Sequence, residues 1–258
     1  MLEKSGYTLE EETHAPLAEE ANVSVVSLAV EESSPSESAQ AADSDEVATD
    51  NTNQTSQAFK EIEPPTSMDE WDERLIKVNR FSQEISEAFR VLRARILLPQ
   101  DGRPIPRTIM VTSALPSEGK SFVSANLGIS LAQGVDQHSL IVDCDLRHPT
   151  LARLFGASQH FGLTDSLQGE MELAGLIQKT AEHKLSILAS GQPPGNPAEL
   201  LGSARMHELV VELSLRYSDR FIVFDTPPLQ VASESIILSQ AVDGVILVVR
   251  HGVAGSSL

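Results

Sequence analysis

The stretch that most constrains this chain is ALPSEGKS, residues 114–121. A strand-like run, TIMVTS (108–113), leads into it, and a helical segment, KSFVSANLGISLAQG (120–134), carries on from it. The stretch fits the pattern of Ala or Gly, four free positions, Gly-Lys, and then Ser or Thr. A compact loop between a strand and a helix turns its backbone N–H groups inward and, with the helix N-terminus, forms a nest for an anion. Gly119 lets backbone approach phosphate closely. Lys120 is placed to neutralise phosphate oxygens, and the Ser121 hydroxyl to ligate Mg²⁺. Pro116, Ser117, Glu118, Gly119, Lys120, Ser121 and Phe122 are therefore the candidate nucleotide-binding residues.

Such a loop needs a sheet to hold it, and the surrounding pattern supplies one. SLIVDCD (139–145), KLSILAS (184–190), RFIVFDTPP (220–228) and GVILVVR (244–250) read as strands. Helical segments alternate with them at HPTLARLF (148–155) and at NPAELLGSARMHELVVELSLRYS (196–218), the latter with a weak point at Gly202-Ser203. Strand–helix alternation with apolar strands predicts an α/β fold: a doubly wound, mostly parallel sheet of the P-loop type with helices on both faces. Ahead of it, SQEISEAFRVLRARILL (82–98) is a helix whose apolar stripe is Ile85, Phe89, Leu92 and Ile96. Glu87, Arg90 and Arg93 lie along the flank of that stripe. DGRPIP (101–106) is a loop, so the chain divides into 1–65, a helical extension at 66–106, and the P-loop domain at 107–258.

Three carboxylates accompany the loop. Asp143 and Asp145 stand two residues apart at the end of one apolar strand, so alternation points both to one side and Cys144 to the other. Asp225 ends another strand, FIVFD. Ligands of a parallel sheet gather at the carboxyl ends of its strands, so all three acids are expected to face the loop. Cys144 reads as a small buried hydrophobe, and neither it nor the scattered histidines suggest a zinc site.

The formal net charge of −18 is unevenly spread: residues 1–65 hold 15 acidic and two basic side chains, with Tyr7 and Phe59 the only aromatics. Such a composition predicts a disordered acidic tail, interrupted by one apolar patch, ANVSVVSLAV (21–30). A general affinity for nucleic acid is excluded, because neutralising phosphates requires clustered Lys and Arg. One cysteine allows no internal disulfide and suggests a reducing compartment. The start lacks a signal-peptide pattern, and no apolar run approaches the ~20 residues of a membrane span. The chain is expected to be soluble and cytoplasmic. Its end at HGVAGSSL is abrupt for this fold, which would be expected to continue through one further strand and helix.

From about Ser82 to Gly252 the sequence resembles the bacterial tyrosine kinases (BY-kinases) of the CpsD/CapB type, the autokinases of polysaccharide biosynthesis and relatives of ParA/MinD-like ATPases. SEAFRVLRARI resembles the family's E-x-x-R-x-x-R helix, VTSALPSEGKS its Walker A loop, LIVDCDLRHP its A′ motif and FIVFDTPP its Walker B. GNPAELLGS (195–203) is similar to the segment between the last two motifs. The resemblance implies an ATP- and Mg²⁺-dependent protein-tyrosine kinase regulating exopolysaccharide or capsule production. Lys120 and Ser121 would hold the ATP phosphates and Mg²⁺, with Asp143 and Asp225 at the metal. Asp143 would be the leading acceptor of the tyrosine proton and Asp145 a positioning carboxylate, making Lys120, Asp143 and Asp145 the catalytic set. Arg147 would stabilise charge or form a structural ion pair. Glu87, Arg90 and Arg93 would pack between subunits of a ring-like homo-oligomer. Protein tyrosines would be the substrates, and a membrane-embedded co-polymerase or adaptor would recruit the chain to the inner face of the plasma membrane. Two departures stand out: the family's C-terminal tyrosine cluster is absent, Tyr7 and Tyr217 being the two tyrosines in the sequence, and the expected final strand is missing, which would leave the nucleotide pocket incomplete. Leu115 occupies the position where ParA/MinD ATPases carry a second lysine, which favours the kinase branch. The alternatives are a ParA/MinD-like switch without kinase activity and a non-catalytic nucleotide-binding regulator.

Overall fold

The computed structural model describes residues 23–24, 67–99, 102–230 and 234–251. The disorder expected of the acidic tail therefore lies, apart from two residues, outside the described residues, as does the chain beyond residue 251. The chain opens with β1 (Val23–Ser24), α1 (Glu73–Phe81) and α2 (Gln83–Leu97), followed by β2 (Thr108–Ser113), α3 (Lys120–Ala132) and β3 (His138–Asp143). Next come α4 (Leu151–Leu154), α5 (Leu163–Gln168), α6 (Leu173–Leu176), β4 (Ile177–Lys179) and β5 (Leu185–Leu188). The last described elements are α7 (Pro197–Leu201), α8 (Ala204–Arg216), β6 (Arg220–Asp225), α9 (Glu234–Ser239) and β7 (Gly244–Val248).

The strands form one sheet in the order β1-β7-β2-β6-β3-β5-β4. From β7 to β5 every pair is parallel, while the edge strands β1 and β4 run antiparallel to their neighbours. The expected doubly wound sheet is thus present. Strand alternation sorts the core into two layers. Ile109, Val111, Ile141 and Val223 pack with residues of α1 to α4 on one face. Met110, Leu140, Val142, Cys144, Ile222 and Phe224 pack with residues of α5, α8 and α9 on the other.

Several segments differ from the sequence reading. The helix expected at 148–155 contracts to α4, because the Asp143 carboxylate accepts the Thr150 and Leu151 N–H groups at 3.0 Å each and fixes the helix start there. The helix expected at 196–218 breaks at the anticipated weak point, where the Ser203 hydroxyl accepts the Met206 N–H at 3.2 Å and caps α8. Of the expected α2 stripe, Phe89, Leu92 and Ile96 are buried but Ile85 is 41% exposed. The first turn of α2 is fastened instead by Ser86, whose hydroxyl donates to the Val78 carbonyl of α1 at 2.9 Å.

The extension at 66–106 shares a single core with the P-loop domain. Trp71 stacks edge-on against Phe155 at 5.1 Å, and the Asp72 N–H donates to the Leu154 carbonyl at 2.9 Å. Helix α3 is the central packing element, buried along almost its entire length. Gly128 makes this possible, since a Cβ there would come within 2.4 Å of Ile141 Cδ1. Gly128→Val is therefore expected to cost about 1–3 kcal/mol by overpacking the α3–β3 contact, seen as a lowered midpoint in chemical denaturation with an unchanged slope.

Candidate nucleotide site

The site forms where β2, β3 and β6 end together, with Asp143 and Asp225 in register across neighbouring strands. Leaving β2, the Ser113 hydroxyl donates to the Leu115 carbonyl at 2.7 Å and folds the chain back on itself. Ser117 and Gly119 adopt positive φ, 64° and 94°. The strain at Ser117 closes the loop, and at Gly119 the absence of a Cβ removes it. Helix α3 starts immediately afterwards, presenting its free N–H groups to the loop.

Lys120 sits among carboxylates. Its Nζ lies 2.9 Å from Asp145 Oδ2 and 3.5 Å from Asp225 Oδ1, and it donates to the Ser121 hydroxyl at 3.0 Å. Ser124 adds a hydroxyl donor to Asp225 Oδ1 at 3.2 Å. Burial opposes the Lys120 charge, but Asp225 and Asp145 outweigh it and raise the ammonium above its usual range. Burial, with Asp225 beside it, pushes the Asp143 carboxyl up to about 8. Burial also raises Asp225, with Lys120 pulling it back. The same burial raises the Cys144 thiol, so this cysteine is an inert member of the core.

The three acids have different surroundings. Asp143 is fully buried; Oδ2 accepts the Thr150 and Leu151 N–H groups, and Oδ1 accepts the Asp145 N–H at 3.2 Å. Asp145 borders a cavity of about 580 Å³. Its Oδ1 accepts the His148 N–H at 3.0 Å, while Oδ2 holds Lys120. Asp225 Oδ2 is buried with no hydrogen-bond partner. That orphaned oxygen, on a carboxylate that the Ser121 hydroxyl also acts on, suits a small hard cation that takes one or two protein ligands and completes its shell with water and phosphate oxygens. Asp225 and Ser121 fit Mg²⁺, whereas the Asp143 oxygens are already engaged by amides. Among the described residues no cluster of three or more His, Cys, Asp or Glu could hold a metal alone.

Of the residues read from sequence, Pro116, Ser117, Gly119, Lys120, Ser121, Phe122 and Asp145 line the cavity, as does Arg147. Glu118 turns away from it. One carboxylate oxygen accepts the Leu115 N–H at 2.7 Å, and the other accepts the Arg250 N–H, just past β7, at 3.2 Å. Glu87 and Arg90 pair with each other on the α2 surface at 2.8 Å and do not line the cavity. Arg93 instead donates to the Ser130 carbonyl and ties α2 to α3. Arg74, His148 and Arg153 also line the cavity, and the sequence reading missed all three as site residues. A basic side chain on an amphipathic helix gives no sign that it will border a site; only the docking of α1 beside α4 brings Arg74 and Arg153 there.

Removing the cation should expose the electrostatic cost of this cluster. Lys120→Met is expected to destabilise the fold by about 3–5 kcal/mol, the usual cost of breaking a buried pair. The loss should grow with pH. Lys120 lowers the Asp143 and Asp225 carboxyls, so without it both rise further; the folded variant then binds more protons than the folded wild type, and its stability falls more steeply as pH rises above ~4. Denaturation at pH 6 and pH 8 would show the variant weaker at the higher pH, and equal losses at both would refute the assignment.

Comparison with known proteins matches this arrangement to a defined group. No family model matches the chain. It is 38% identical over 167 residues to the tyrosine-protein kinase YwqD of Bacillus subtilis (strain 168), covering 65% of this chain and 69% of the relative. It is 32% identical over 165 residues to the putative tyrosine-protein kinase CapB of Staphylococcus aureus, covering 64% and 71%. Its structure superposes on the kinase domain of the Escherichia coli tyrosine kinase ETK with a TM-score of 0.62 and 32% identity, covering 70% of this chain and 69% of that one.

Proposed function

We propose a phosphoryl-transfer role for the cluster around Lys120 in this chain, which belongs to the bacterial tyrosine-protein kinase family. The chain is a protein-tyrosine kinase that takes ATP as phosphoryl donor and Mg²⁺ as its metal. The observation that carries this reading is the Lys120 ammonium held by Asp145 and Asp225 beside an unpartnered Asp225 oxygen. With a nucleotide in the loop, phosphate oxygens compete for the ammonium and Lys120 leaves Asp145. The freed Asp145 oxygen borders the cavity, and it is the carboxylate best situated to accept the hydroxyl proton of an incoming tyrosine. Asp143 lies behind it, holding the start of α4 and the Asp145 backbone in position. Ser121 and Asp225 would hold Mg²⁺, which supplies charge neutralisation at the transferring phosphoryl group. The loop amides, Lys120 and the α3 N-terminus do the rest by positioning and electrostatics.

Leu115 favours the kinase over a ParA/MinD-like switch, since it brings no amine to reach across to another subunit. The exposed Glu87–Arg90 pair on α2 supports a subunit contact in a homo-oligomer, while Arg93 supports α2 from within. Among the described residues no helix is long and apolar enough to cross a membrane. A membrane-embedded partner of the polysaccharide export machinery would bring the kinase to its place of action.

Incubation with labelled ATP and Mg²⁺, followed by phosphotyrosine detection, tests the activity. Lys120→Met should abolish labelling, and Asp145→Asn should lower kcat by about 10²–10⁴-fold, the range expected of a general base. A larger loss in Asp143→Asn, with Asp145→Asn near wild type, would return the proton-accepting role to Asp143. ATP hydrolysis with no tyrosine labelling would favour the switch.

A further inference from the structure

The cavity extends past the phosphate loop, and its lining differs in chemistry from one part to another. Besides the loop residues, Arg74, Arg147, His148 and Arg153 line it, and Asp145, the one carboxylate bordering it among the described residues, holds Lys120 instead. Arg74 pairs with Asp72 through two hydrogen bonds, 2.9 and 3.1 Å, and Arg153 lies close enough to act on the same carboxylate. Two exposed guanidiniums thus share one carboxylate and leave the rim with net positive charge. The loop amides and Lys120 already serve nucleotide phosphates, which leaves these arginines available to a different anion.

Of the tyrosines in this sequence, Tyr217 and Tyr7 stand in different relations to the cavity. Tyr217 ends α8 half-buried against the second core layer, with the Arg220 guanidinium 4.6 Å from its ring centroid. It sits at the amino end of β6, while the cavity lies at the carboxyl end beyond Asp225, about 20 Å away along a six-residue strand. Tyr217 therefore cannot enter the cavity of its own fold. Tyr7 lies in the acidic tail, followed closely by Glu10, Glu11 and Glu12.

We propose that the arginine wall is the acceptor subsite, selecting tyrosines followed by acidic residues, and that Tyr7 of this protein is an acceptor. The inference rests on the kinase reading above and names that kinase's substrate. The Tyr7 hydroxyl oxygen forms a bond to the γ-phosphorus of ATP as the bond from that phosphorus to the β–γ bridging oxygen breaks. ADP leaves with the electron pair, and the phenolic proton passes to Asp145. Arg153 and Arg74 hold the glutamates that follow the tyrosine, so their role is recognition. Charge complementarity favours this segment: residues 1–65 carry a net charge of −13 against a rim of arginines.

The test uses the full chain with Mg²⁺ and ATP, mapping phosphotyrosine by mass spectrometry. Two synthetic peptides serve as probes: residues 1–13, and the same peptide with Glu10, Glu11 and Glu12 replaced by Gln. Tyr7 should be the main modified site, and Tyr7→Phe should remove most of the label. The neutral peptide should show a KM about tenfold higher than the acidic one, the scale of a few exposed charge contacts. Arg153→Glu should reverse the preference, favouring a peptide with lysines at those three positions, while Arg153→Lys should largely restore it. Phosphorylation of a Glu–Tyr copolymer with Tyr7 untouched, or equal KM for the two peptides, would overturn the acceptor assignment and leave the kinase standing. No transfer to any tyrosine substrate would overturn both.

Discussion

Everything at the site depends on one ammonium being held among buried acids. Lys120 enters a region where Asp143, Asp145 and Asp225 converge, and each charge alone would be expensive to bury. The sheet register makes the convergence unavoidable, because Asp143 and Asp225 are paired across adjacent strands. The protein manages the excess negative charge in three ways. Asp143 is engaged by backbone amides, Asp145 is neutralised by Lys120, and Asp225 keeps one oxygen without a partner. A cluster balanced in this way is unfinished. Bringing in a polyphosphate and a divalent cation adds negative charge that draws Lys120 away and positive charge that Asp225 lacks. The arrangement that costs the fold stability is the one that gives binding its direction.

That site is assembled from distant parts of the chain. The extension ahead of β2 is fastened by Trp71 against Phe155 and by the Asp72 N–H on the Leu154 carbonyl. Those contacts set Arg74 beside Arg153, although 79 positions separate them in sequence. The loop wall is built by local geometry, whereas the arginine wall is built by packing. A change in the core under α1 would therefore reach the second wall without touching the first.

This distinction also explains what was legible in the sequence. The phosphate loop and the strands β2, β3, β6 and β7 were readable because continuous apolar runs ending in polar residues have few alternative folds. The break between α7 and α8 was readable because Gly202 and Ser203 are a helix stop followed by an N-cap. By contrast, β4 has three residues and α6 has four, too short for any period to show. Their existence is decided by the neighbours they pack against. Ile85 fitted the helical stripe but is exposed, since periodicity gives the direction a side chain points and not the extent of what covers it. Arg93 matched the charged flank, yet its guanidinium binds the Ser130 carbonyl, a contact across 37 positions that spacing within one helix cannot foresee.

Glu118 shows how a local pattern can mislead about role. By position it belongs to the anion-binding loop, and an acid there would repel the phosphate it is meant to hold. The structure resolves the conflict by giving the carboxylate two backbone donors, Leu115 N–H at one end of the loop and Arg250 N–H beyond β7. Its charge is thereby directed away from the cavity. The Leu115 amide, which would otherwise be available to an anion, is spent on closing the loop. The second contact spans 132 positions and ties the loop to the strand whose outer edge pairs with Val23 and Ser24 of the tail. Loop shape and the end of β7 are therefore mechanically one unit. An acid in a phosphate loop is tolerable because it binds backbone, and what it binds makes the loop sensitive to its neighbouring strand.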